Sequence, residues 1–350
     1  MLNPLVKCCF AFLLLTSFHG SVFADLKSEQ SMAAIALMQG DDRAQALLEG
    51  AKKEGELNVY LVNPTYSLVT DAFAKKYGIK VKTWRAGSEA MLQRVLAEAR
   101  AKRFEVDVIC LNGPELEVLY QQQVLQQVRS PYLRDLIPQA TRGHGEWVGT
   151  SMDIFVQAYN SNLIKKEELP KSYQDLLDPK WKGRLGIEAA DQHWFASVLQ
   201  ELGHEKGLKL FKDIVATNGI SVRKGHSLLG NLVGSGEVPL ALTVYTWGPD
   251  QMKQKGAPIE RFSISAPIAS FSGVGIPRNA PHPYSAILFY DFVLNEGQEI
   301  LSKAHAVSVS NKLDADHKKG PMRFIDPVEY LENNTKWTQT YEEVFIKRGK

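Results

Sequence analysis

The sequence predicts an α/β protein of two hinged lobes, each a mostly parallel sheet flanked by helices. Three observations predict it. Through the first third of the chain, short apolar strands alternate with amphipathic helices in the rhythm of βαβ units. The second half repeats that theme with different residues. No low-complexity linker separates the halves, so the chain must pass between them as crossover strands.

Each element has its own signal. Residues 44–55 carry helical apolar spacing and stop at Gly55, and 57–62 (LNVYLV) read as a buried strand. Helical spacing returns over 68–77 and stops at Gly78. Residues 79–84 form a second strand, and 88–102 a long helix with Ser88 in the place of an N-cap. VDVICL at 106–111 is a third apolar strand. Further on, 147–159 contain a long strand and 170–177 begin a helix. The strand at 183–188 leads through 189–193 into the helix WFASVLQEL. VPLALTVY at 238–245 is another buried strand, SGVGIP at 272–277 a further one, and 284–301 read as one helix after a proline-rich turn.

Residues 1–24 point to export. Lys7 precedes an apolar core of about ten residues, too short to span a bilayer, and Val22-Phe23-Ala24 offers small residues for cleavage. A soluble chain starting near Asp25 follows; 326 of 350 residues remain, enough for two domains. Cys8 and Cys9 leave with the segment, so Cys110 remains alone and no intramolecular disulfide forms, as suits a bacterial periplasm. The formal charge of +2 includes Lys7 and excludes a nucleic-acid partner. No G-x-S-x-G elbow occurs, and His204-Glu205 has Leu208 where H-E-x-x-H requires histidine, so catalysis is not expected.

Five segments in order carry a family likeness: GELNVY at 55–60, 87–109, VQAYNSNLI at 156–164, LPKSYQDLLDPKWKGRLGIEAADQHWF at 169–195, and 273–301. Together they resemble the periplasmic solute-binding subunits of ABC transporters, in the branch related to ferric-ion-binding proteins. The resemblance implies a type II periplasmic-binding-protein clamshell that traps ligand between its lobes and presents it to an inner-membrane ABC permease as a monomer, without cofactor or chemistry. It places lobe one at 25–154 plus 273–318, and lobe two at 155–272 plus 319–350. A sensory role, with delivery to a receptor, fits the same resemblance.

The resemblance also maps the ligand-facing loops: Asn63 and Tyr66 after the first strand, Arg85 and Ser88 after the second, Asn112 after the third, Asp153 on the first crossover strand, and Asp191, His193, Tyr245 and Trp247 from lobe two. Ferric-binding relatives hold the metal with adjacent tyrosines, whereas this chain has Tyr245-Thr246. Asn63-Pro64, Asn112 and Asp153 stand where relatives use histidine, carboxylate and an anion-anchoring arginine. No metal is therefore expected; if iron(III) is the cargo, the resemblance puts Tyr245 first among its ligands. The replacements suit a small polar or charged organic solute instead, with Arg85 clamping an anionic group and Asp153 or Asp191 an amine. Structural readings compete: Asp191 as a helix N-cap, Trp194 as core, Arg85 as an interlobe ion-pair partner.

Overall fold

A computed structural model describes residues 31–313 and 322–347 of the chain. The export segment expected at 1–24 lies outside them. Among the described residues no helix is long and apolar enough to cross a membrane.

The strands are β1 (Glu56–Leu61), β2 (Lys80–Arg85), β3 (Val108–Asn112), β4 (Leu125–Gln126), β5 (Trp147–Asn160) and β6 (Leu185–Glu188). They continue as β7 (Ser221–Arg223), β8 (Leu240–Tyr245), β9 (Ile259–Phe262), β10 (Ile268–Pro277), β11 (Val307–Ser308) and β12 (Arg323–Phe324). The main path runs β2-β1-β3-β10-β5-β8-β6-β7. The outer trios, β2-β1-β3 and β8-β6-β7, are parallel within themselves, while β10 and β5 run antiparallel between them. Those two central strands are the crossovers, and every residue of both is buried. Covered on both faces, they carry a single charged residue, Asp153.

Alternation along β1 shows how the layers form. Leu57, Val59 and Leu61 join one core with Phe73, Val148 and Phe289, and Tyr60 turns to another with Met91, Ile109, Leu116 and Trp147. The other half repeats the arrangement around Phe155, Trp194, Phe195 and Phe211 on one side, and Val156, Leu229 and Val244 on the other. Each fully buried aliphatic or aromatic side chain contributes about 1.5–3 kcal/mol. Trp337, Tyr341 and Phe345 from the C-terminal segment pack into the Trp194 core.

The helices Arg43–Glu54 and Tyr66–Tyr77 stop at Gly55 and Gly78, whose φ of 72° and 70° suits glycine. Four expectations are corrected. The helix expected over 284–301 is two, Pro283–Leu294 and Glu296–Lys303, broken at Asn295 (φ −112°, ψ −98°). The break lets Gln298 turn inward to donate to Thr150 O at 2.9 Å. The helix expected from 170 is a single 3-10 stretch, Tyr173–Leu177, stopped by Asp178-Pro179. Tyr245 and Trp247, two residues apart and so expected on one strand face, do not share one: Trp247 opens a helix, Trp247–Gln254. Ser88 is the first helical residue of Ser88–Arg100, with Gly87 at the N-cap position, so its hydroxyl does not cap the helix.

Gly273 shows how tightly the crossover is packed. A Cβ there would lie 2.5 Å from Val148 O and 2.9 Å from Leu116 Cδ1. β3 and β5 hold β10 from both sides, so nothing yields cheaply. Gly273→Ala is expected to destabilise the protein by about 1–3 kcal/mol, read from urea unfolding midpoints.

Candidate functional site

β5 carries the site's centre. Ser270 faces Asp153 across β10, and two residues on Phe155 faces Tyr245 across β8. Asp153, 3% exposed, accepts a hydrogen bond from the Ser272 hydroxyl. Asn112 Oδ1 lies 3.4 Å from the same hydroxyl, and Asn112 Nδ2 donates to Ser88 Oγ at 2.8 Å. A polar chain thus runs from the start of helix Ser88–Arg100 through the end of β3 to β5. Glu115, in the first turn of helix Gly113–Gln121, leaves Oε2 buried without a partner.

The opposite wall is built from the ends of β6 and β8 and the start of helix His226–Ser235. Glu188 ends β6 and accepts Gly225 N–H at 2.8 Å as well as Ala190 N–H. Asp191 occupies the N-cap position of helix Gln192–Leu202, yet its carboxylate makes no capping bond. It pairs instead with His226 Nε2 at 3.2 Å. Glu188, Asp191 and His226 bring one donor atom each within 4.8 Å of one another. Aromatic rings surround them: Tyr245 stands 4.1 Å from His226 and 4.8 Å from Phe155 between centroids, and Trp247 6.4 Å from Tyr245. His193 bridges Phe155 at 5.1 Å and Tyr330, from the C-terminal segment, at 5.7 Å.

Burial and mutual charge set the protonation states. Burial pushes Asp153 up to about 6, though Ser272 and His226 pull the other way. Burial and neighbouring Glu89 push Glu115 up to about 7. Burial and Asp191 together hold Glu188 above the usual carboxylate range. For Asp191, burial opposes ionisation but His226 outweighs it, and its carboxyl sits below that range. Burial likewise opposes charge on His226, but Asp191, Glu188 and Asp153 raise it to about 9. His193, with burial dominant, falls to about 4 and is neutral. Burial raises the phenol of Tyr245 far above its ordinary value, and Asp191, Asp153, Glu188 and Glu115 add to the shift.

Of the ten residues singled out from sequence, seven fall along this surface: Ser88, Asn112, Asp153, Asp191, His193, Tyr245 and Trp247. Three do not reach it through any contact described. Asn63 Oδ1 accepts Thr65 N–H at 2.9 Å within its own turn. Tyr66, 1% exposed, bonds Thr150 from inside the core. Arg85 ends β2 and is exposed. Trp194 is core, as its helical spacing suggests. Glu115, Glu188, His226 and Tyr330 were missed as site residues. Glu188 read only as a strand end, and the three-residue, half-buried β7 before His226 carries no apolar run to announce it.

Gln251 links the two halves beside the site. Gln251 Nε2 donates to Thr65 Oγ1 at 3.3 Å and to Ala304 O at 2.8 Å. Each of these bonds contributes about 0.5–1.5 kcal/mol to holding the halves together. Gln251→Ala is expected to weaken solute binding about three- to tenfold with unfolding stability nearly unchanged, measured by calorimetry beside urea melts.

A family model for the bacterial extracellular solute-binding protein matches residues 106–334. The chain is similar to the Fe(3+)-binding periplasmic protein of Serratia marcescens, 28% identical over 269 residues, spanning 73% of this chain and 79% of that one. It is also similar to a putative 2-aminoethylphosphonate-binding periplasmic protein of Salmonella typhimurium, 23% identical over 81% of this chain and 84% of the other. Among solved structures, iron-bound HitA from Pseudomonas aeruginosa superposes with a TM-score of 0.70 at 25% identity, covering 83% of this chain and 99% of that one. Family and fold are those of non-enzymatic transport components. With the type II clamshell and the family match over most of its length, the chain belongs to the bacterial extracellular solute-binding proteins that serve ABC importers.

Proposed function

We propose that the chain captures a small polar or charged organic solute in the periplasm and hands it to an inner-membrane permease by hinge closure. The observation that carries this reading is the convergence of buried polar atoms without partners: Glu115 Oε2, Asp191 Oδ2, His226 Nδ1, Thr246 Oγ1 and Trp247 Nε1. Buried polar groups are ordinarily satisfied, and five unsatisfied ones from the starts of four helices mark a place for a ligand. The lobes in this reading are 25–154 with 273–318 and 155–272 with 319–350; the tail aromatics packed on Trp194 support the second. Ser88, Asn112, Asp153, Asp191, His193, Tyr245 and Trp247 line the cleft, with Asn63, Tyr66 and Arg85 at its margin.

A second reading, capture of ferric iron, is favoured by the Glu188–Asp191–His226 cluster beside Tyr245 and by the iron-binding relatives. Against it, Thr246 follows Tyr245 where a second phenol would help hold a hard trivalent ion.

A thermal-shift panel on ligand-stripped protein separates the two. It holds Fe³⁺ with and without citrate beside carboxylates, phosphonates, sugar phosphates and amines. A solute at 100 times its Kd adds about 2.7 kcal/mol. A shift with an organic solute supports capture of that class. A shift with Fe³⁺ alone, accompanied by a visible charge-transfer band, overturns it.

A further inference from the structure

Four carboxyl groups line the space around Tyr245: Glu115 from one half, Asp153 from the crossover strand, and Glu188 and Asp191 from the other half. His226 is the one side chain drawn into cationic form among them, and its charge is taken by Asp191 at 3.2 Å. The field on Asp153 comes from His226 and that on Glu115 from Glu89, with no lysine or arginine acting on either. Such a site holds carboxyl groups out of water with too little opposite charge nearby, which favours their protonated forms.

Helix N-termini would ordinarily draw an anion to this place. Here the chain's own carboxylates stand at them, and one is bonded. Glu188 takes Gly225 N–H at 2.8 Å, ahead of helix His226–Ser235. Asp191 stands at the N-cap position of Gln192–Leu202, and Glu115 lies in the first turn of Gly113–Gln121. Asp191 is 1% exposed and, with Oδ1 taken by His226, leaves Oδ2 as a buried acceptor without a hydrogen-bond partner. The rings of Tyr245, Phe155, Trp247 and Tyr330 add faces that attract positive charge once water is excluded.

We propose that the solute is an organic cation, its ammonium or comparable group held among Glu115, Asp153, Glu188 and Asp191 against the Tyr245 ring. This rests on the organic-solute reading above. It also gives closure a driving force. Burial holds Glu115 and Glu188 above the usual carboxylate range, and a cation between them favours their ionised forms and so attracts both halves. The unpartnered Trp247 Nε1 and Thr246 Oγ1 remain as hydrogen-bonding partners for a polar tail on the solute.

The test is calorimetry on the ligand-stripped chain from Asp25, with three matched sets of probes. The cations are putrescine, agmatine, choline and thiamine; the anion-bearing set is 2-aminoethylphosphonate, citrate and glucose 6-phosphate; the neutral probe is glucose. Binding is expected within the cationic set, and Glu115→Gln and Glu188→Gln each weaken the tightest cation at least about tenfold, roughly 1.4 kcal/mol. Glu115→Gln leaves every bonded partner in place, so it remains informative should Glu188→Gln fold poorly. Tight binding of an anion or of glucose with no cation bound, or unchanged cation affinity in Glu115→Gln, would overturn the cation assignment alone. Binding of Fe³⁺ only, or of no probe at all, would overturn the organic-solute reading beneath it.

Discussion

Asp191→Asn is expected to lower unfolding stability by about 3–5 kcal/mol at pH 7, the usual loss when one partner of a buried ion pair is removed. Asp191 is 1% exposed and its carboxylate faces His226 Nε2 at 3.2 Å. The imidazolium left behind would have to lose its proton or stay charged with only Glu188 and Asp153 to favour it. The pH dependence makes the effect specific. His226, raised from 6.5 to about 9, contributes stability that is fully present below pH 6.5 and is lost as pH rises through 9. Asp191, held below 3.8, contributes stability above that value and loses it as pH falls further. The gap between wild type and Asp191→Asn is therefore wide from about pH 4 to 6.5 and narrows toward pH 10. Urea unfolding at pH 7 and pH 10 checks it. An equal gap at both values would mean that the pair does not form.

Tyr245→Ala is expected to weaken solute binding at least tenfold, about 1.4 kcal/mol or more. The ring sits 4.8 Å from Phe155 and 4.1 Å from His226, so it is both a wall of the cleft and the brace of its neighbours. Tyr245→Phe keeps the wall and loses only the hydroxyl. If the face does the binding, its affinity stays within about threefold of wild type, because a single neutral hydrogen bond is worth about 0.5–1.5 kcal/mol. An alanine variant binding as tightly as wild type would place the cleft elsewhere.

The fold was legible because its signals are local. Glycine stops, apolar runs and helical spacing give β1 to β3, β5, β6 and β8 nearly in place, since each element's burial is written in its own residues. The misreadings occur where packing overrides local pattern. The apolar residues from 284 to 301 continue across Asn295, and only the inward turn of buried Gln298 explains the break. The site divides along the same line. Asp153, Asp191 and Tyr245 stand at strand ends or on a crossover, where the chain's topology alone brings them together. His226 and Glu115 become part of it through the register of β7 against β6 and the angle of helix Gly113–Gln121, which no short window of sequence encodes. The charge inventory shifted accordingly. Arg85, weighed as a clamp for an anion, stays exposed at the edge, and the interior is acidic.

Capture by closure is tested most directly by a distance across the cleft. Cys110 is buried, and burial pushes its thiol up, so spin labels placed through Lys53→Cys and Lys206→Cys in the exported chain report only from those two exposed positions. One lies on helix Arg43–Glu54, the other on helix His204–Asn218, on opposite halves. Pulsed dipolar spectroscopy on stripped protein should show a long, broad distance distribution. With the panel's tightest solute at saturation it should collapse to a shorter, narrower one. The same distribution with and without bound solute would contradict capture by hinge closure.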